Sequence, residues 1–62
     1  MLVYYSVRRD ENKRYIISLF YRNFLGNMKE MHRSAHLSPK SINEVIQKYR
    51  ADGYRIQSIA TA

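Results

Sequence analysis

Arg8, Arg9, Lys13 and Arg14 crowd into one short stretch, with Tyr4 before them and Phe20 and Arg22 after. Cations beside aromatic rings suit a polyanion. Arginines read guanine edges while further arginines and lysines hold phosphates, and Tyr4 and Phe20 can instead stack on unpaired bases. Asp10 and Glu11 fall in the same stretch and would repel phosphate unless they pair with Arg8 or Lys13. The plain alternative is a solvated turn whose charges serve solubility.

Other chemistry has less material. His32 and His36 are four apart and would share a face on a helix, but two imidazoles do not complete a zinc site. With no cysteine, Glu30 is the one nearby carboxylate. No metal or other cofactor is expected, and ordinary surface histidines are the reading. The five carboxylates are scattered, and general acid–base catalysis needs a pair with separated pKa values. Neither a nucleophile elbow nor a glycine-rich phosphate loop is present. The expectation is a binding protein, not an enzyme.

The basic residues need a scaffold, and alternation supplies one. In Leu2 to Arg9, Val3, Tyr5 and Val7 share one strand face, and Tyr4, Ser6 and Arg8 share the other. Arg14 to Arg22 alternates likewise: Tyr15, Ile17, Leu19 and Tyr21 against Ile16, Ser18, Phe20 and Arg22. Asp10, Glu11, Asn12 and Lys13 are turn-prone, so the two strands form a hairpin with the first set of each facing the core.

Between 23 and 37 the signals conflict. Phe24, Leu25, Gly26 and Asn27 suggest a turn. Met28 to Ser34 fits a third strand, a short helical turn or an ordered loop, and a short strand or extended loop is favoured.

Ser38 to Ile59 is the stretch whose signals agree. Ile42, Val45, Ile46 and Tyr49 make one helical stripe. Ser38 and Pro39 offer an N-cap and a proline at the first helical position. Ser41 with Glu44 offers a later start. Lys48 and Arg50 suit the last turn and Gly53 stops it. Tyr54 to Ser58 then alternates as a half-buried strand.

The expected architecture is α+β: a small antiparallel sheet of three or four strands, order β-β-(β)-α-β, with one helix across one face. Residues 1–62 form a single compact domain. The helix stripe would cover Val3, Tyr5, Val7, Ile17, Leu19 and Ile56. The opposite face would stay open, carrying Tyr4, Arg8, Ile16, Phe20 and Arg22, with Arg55 if the last strand alternates.

Composition narrows the partners. Eleven Lys and Arg against five Asp and Glu give +6 at pH 7, which favours a polyanionic partner through counterion release. Without cysteine there is no disulfide, and a chain this short buries only roughly 60% of its unfolded surface. No run is long enough to span a bilayer. The opening Leu2–Tyr5 lacks the basic region of a signal peptide. A cytoplasmic protein without membrane contact is expected.

Two families resemble parts of the chain. Ile46 to Ile59, with Tyr49, Ala51, Gly53, Tyr54 and Ile56, looks like the last half of small phage-encoded β-β-α-β inhibitors of host RNA polymerase. That resemblance implies docking on a host protein machine; this chain's own arginines would then meet an acidic protein surface, with Tyr4 and Phe20 as anchors, since Tyr and Arg are common hot spots. Arg14 to Tyr49, with a turn at Gly26 and Ser38-Pro39-Lys40 opening a helix, is similar to the arm-binding DNA-binding domains of phage integrases. This second likeness implies a sheet face in the major groove and nominates Arg8, Arg22, Lys29 and Arg33. The leading expectation is nucleic-acid binding in transcription regulation or genome handling, of phage or mobile-element origin. The alternative is inhibition of a host protein machine. A homodimer through a sheet edge is a third expectation.

Overall fold

The computed structural model describes residues 1–59. Four strands and one helix follow one another as β1 (Leu2–Arg9), β2 (Tyr15–Arg22), β3 (Met28–His36), α1 (Pro39–Ala51) and β4 (Arg55–Ser58). One sheet holds all four strands in the order β3-β2-β1-β4, and the helix packs on one of its faces. The α+β class and the order β-β-(β)-α-β are as the sequence predicts, with the third strand, left open there, present. The three hairpin-linked strands are antiparallel, whereas β4 pairs in parallel with β1, Leu2 opposite Arg55 and Val3 opposite Ile56. The sheet is therefore mixed. The reason is topological: α1 carries the chain from the β3 edge to the β1 edge, and β4 enters running the same way as β1.

The faces of the first hairpin follow from alternation. Tyr5 lies opposite Leu19 and Val7 opposite Ile17, while Tyr4 meets Phe20 and Arg8 meets Ile16 on the other side. Val3, Ile17 and Leu19 are fully buried with Ile42 and Ile46 over them. Tyr5, Val45, Tyr49 and Ile56 pack around this cluster. Val7 does not join it, being 41% exposed, because β4 pairs with β1 only as far as Tyr5 and leaves Val7 at the sheet edge.

Both hairpin turns have one design. In the first, Asp10 donates its N–H to the Arg14 carbonyl at 2.9 Å and accepts from Lys13 N–H at 3.0 Å. The Asp10 carboxylate also receives the N–H groups of Asn12 and Arg14. In the second, Asn23 bonds the Asn27 carbonyl and receives Gly26 N–H, both at 2.9 Å, while its side-chain oxygen accepts from Leu25 and Asn27. Such loops need one left-handed residue before the returning strand. Gly26 fills that place with φ +86°, and Lys13 fills it with φ +61°.

Residues 28–36 form a full strand, paired with β2 along its length. Its register slips between Leu19, opposite His32, and Phe20, opposite Glu30, so Met31 is an extra bulged residue. Met28 and Met31, whose spacing also suits a helical turn, thus lie in extended chain, Met28 on the open face and Met31 against the core.

The helix begins at the first of its two possible starts. Ser38 is the N-cap, its hydroxyl accepting the Ser41 N–H at 3.4 Å, and Pro39 opens the first turn. At the other end Gly53, φ +101°, donates to the Arg50 carbonyl at 3.0 Å. Tyr54 donates to the Tyr49 carbonyl at 3.2 Å. These two bonds make a Schellman cap, and the Tyr49 and Tyr54 rings, centroids 5.7 Å apart, supply its usual apolar contact.

Candidate nucleic-acid interface

The face of the sheet away from the helix holds most of the residues nominated above. Cross-strand register places Tyr4 between Gln57 of β4 and Phe20 of β2, with Glu30 of β3 beyond. One step toward the first hairpin lie Ser6, Ser18 and Arg33, then Arg8, Ile16 and Ala35. Toward the other end lie Arg22 opposite Met28, and Leu2 opposite Arg55. A half-buried Tyr4–Phe20 pair thus sits mid-face, with Ser18 buried beside it and arginines toward both ends.

Strand geometry sets this spacing. Facing positions across a pair lie about 5 Å apart and same-face neighbours along a strand about 7 Å apart. A face of this size accommodates a few nucleotides, with rings for bases and guanidiniums for phosphates. Arg8, Arg22 and Arg55 are exposed and form no ion pair with any described residue. Arg33 is held by Glu30 at 3.0 Å. Four arginines and one glutamate therefore share the face.

The other nominated cations sit differently. Arg9 lies opposite Tyr15, on the helix side, its guanidinium 4.8 Å from the Tyr15 ring centroid and bonded to the Lys13 carbonyl. Arg14 grips Asp10 through Nε and a terminal nitrogen, both at 2.9 Å. Asp10's partner is thus Arg14 rather than Arg8 or Lys13. The Arg14 backbone N–H is the largest influence holding the Asp10 carboxyl below the usual carboxylate value; burial opposes it, and the Arg14 guanidinium and the Asn12 N–H add to it. Lys13 stays exposed at the tip. Lys29 lies opposite Tyr21 and so on the helix side, while Arg33, opposite Ser18, is on the open face. The bulge at Met31 separates two residues that a regular strand would align.

Under the helix edge runs a chain of polar side chains. The Tyr49 hydroxyl lies 3.2 Å from His32 Nδ1, His32 Nε2 2.8 Å from Ser34 Oγ, and Ser34 Oγ 2.6 Å from His36 Nε2. With both imidazoles neutral, every link has one donor: Tyr49 to His32, His32 to Ser34, Ser34 to His36. With both protonated, two imidazoliums converge on one hydroxyl and repel each other. Burial first, then the charges of His36 and Lys48, hold His32 below its ordinary 6.5, with Glu30 pulling the other way. Since the folded value is the lower one, this stabilisation is complete above the unfolded value and is lost as pH falls from 6.5 toward the folded value. The thermal midpoint should drop between pH 7.5 and 5.5, and the drop should shrink in His32→Gln. An equal drop in both proteins would remove His32 from the cause. Among the described residues no cluster of three or more His, Asp or Glu could hold a metal ion.

Sequence reasoning missed Phe24 and Leu25. They occupy the tip of the second turn, 94% and 69% exposed. The available signal was an apolar pair where a turn ordinarily carries polar residues. Among the described residues no helix is long and apolar enough to cross a membrane. No family model matches this chain, and neither curated proteins nor solved structures provide a match.

Proposed function

We propose that this chain is a small non-enzymatic nucleic-acid-binding module that uses the open face of its sheet. The observation that carries the reading is the Tyr4–Phe20 pair flanked by Arg8, Arg22 and Arg55, three exposed guanidiniums without a carboxylate partner among the described residues. The rings offer flat faces for bases, and the arginines meet phosphates and release counterions. A role in transcription regulation or genome handling, in a phage or mobile element, is the setting this reading favours, with the cytoplasm as its place. Of the residues that the likeness to integrase arm-binding domains nominates, Arg8, Arg22 and Arg33 share the open face and Lys29 does not.

The test is a titration of a labelled single strand and a labelled duplex, each at 50 and 200 mM salt. Binding that weakens steeply with salt supports the reading, and the ratio of the two affinities separates stacking from groove docking. Absence of binding at the lower salt would refute it. It would turn attention to the same arginines against an acidic surface of a host protein machine, the class of partner that the likeness to polymerase inhibitors implies.

A further inference from the structure

We infer that the Phe24–Leu25 tip is an apolar wedge that enters between adjacent stacked bases of a duplex bound to the neighbouring sheet face. This rests on the nucleic-acid reading and adds to it a mode of engagement and a substrate preference. Folding leaves Phe24 and Leu25 nearly bare, yet holds the loop that carries them in one shape. The Asn23 side chain accepts two backbone N–H groups of the loop, and Gly26 takes the left-handed turn residue. The tip is therefore a preformed projection.

Its surroundings choose the occupant. Arg22 and Lys29 sit on the two legs of this hairpin, with no carboxylate in the sequence between them. Arg55, at the start of β4 opposite Leu2, lies at the same end of the sheet. Lys29 and Asp52 both belong to the helix side, and Glu30 is held by Arg33, so Arg22 and Arg55 are the cations that this end of the open face presents. An apolar point among cations fits a target with an apolar interior and an anionic rim. A duplex step is one such target, because phosphates border the stack and apolar side chains are known to pry steps apart.

A bilayer surface has the same outline but needs more apolar area than two side chains provide, since even one myristoyl chain anchors only marginally. The tip is also continuous with the proposed interface: Phe24 follows Phe20 and Arg22 on the chain just past the end of β2. A wedge spends binding free energy on unstacking, so it favours steps that unstack cheaply, such as mismatches.

The experiment uses the whole chain and a duplex with 2-aminopurine at one step, matched or beside a mismatch, comparing wild type with Phe24→Ser/Leu25→Ser. Both side chains are exposed, so the variant should keep the wild-type thermal midpoint, which is measured alongside. The expected result is a fluorescence rise on binding and about tenfold tighter binding to the mismatched duplex. The variant should still bind the matched duplex, with both signatures gone. A wild type that binds without a fluorescence rise, or a variant that retains the rise and the preference, overturns the wedge and leaves the sheet-face reading standing. A wild type that binds neither duplex nor single strand overturns both. Phosphatidylcholine–phosphatidylserine vesicles form the last arm: capture of wild type but not variant, with 2-aminopurine unmoved, assigns the tip to a lipid surface instead.

Discussion

Truncating Leu19 to alanine is expected to cost about 2–5 kcal/mol, the range for deleting a buried leucine side chain. Leu19 is fully buried on β2, between Tyr5 of β1 and His32 of β3, in the cluster that Ile42 and Ile46 cover. Only five hydrophobic residues among those described are buried, so no second core takes over. A domain of this length has roughly 3–9 kcal/mol to lose, taking about 0.05–0.15 kcal/mol per residue. The variant should therefore unfold at least about 8 °C lower, since each kcal/mol is worth about 4–8 °C in a domain this small. Urea unfolding followed by circular dichroism measures it. Val7→Ala is the control: the side chain is on the same face but 41% exposed, so its loss should be under about 1 kcal/mol. A Leu19→Ala cost as small as that of Val7→Ala would mean that the core is elsewhere.

The same packing explains what could be read from the chain and what could not. β1 and β2 each have one apolar face and one that mixes aromatic, polar and basic residues, and a period of two marks that directly. The helix carries its own limits in Ser38, Pro39 and Gly53, because capping is a local interaction among residues a few positions apart. β3 lacked such marks. It lies at the sheet edge, mixes Lys29, Glu30, His32 and Arg33 with a few apolar residues, and has its alternation broken at Met31. No local pattern predicts a bulge, yet it decides which of Lys29 and Arg33 faces the open side. The direction of β4 depends on where the helix delivers the chain, and nothing within Arg55–Ser58 encodes that. At the candidate site, the even positions of β1 and β2 named the face correctly. The capture of Arg14 by Asp10 and of Arg9 by Tyr15 arises from the turn's shape, which brings them together only after the hairpin closes.

Replacing Arg22 and Arg55 by glutamate should abolish nucleic-acid binding at physiological salt while leaving the fold intact. Both side chains are exposed at one end of the open face and hold no carboxylate among the described residues, so the fold loses no ion pair there. The magnitude follows from counterion release. If the three unpaired arginines of the face meet phosphates of a single strand, with Arg33 held by Glu30, the slope of log affinity on log salt is about −2.1, and raising salt from 50 to 200 mM weakens binding about 18-fold. Alanine at both positions leaves Arg8 as the unpaired contact, a slope of about −0.7 and a loss of about threefold over the same range. Glutamate goes further, because it places anions where phosphates must sit.

Arg14→Ala separates this from a general charge effect. It also removes one positive charge, but from a guanidinium already committed to Asp10, so the salt slope should barely change. Lys29→Ala, on the helix side, should behave likewise. Titrations of these variants in parallel give an ordered prediction: the paired and helix-side cations drop out, and the open-face arginines carry the slope. Equal effects from all of them would mean that binding follows net charge alone, and the sheet face would lose its claim to be the interface.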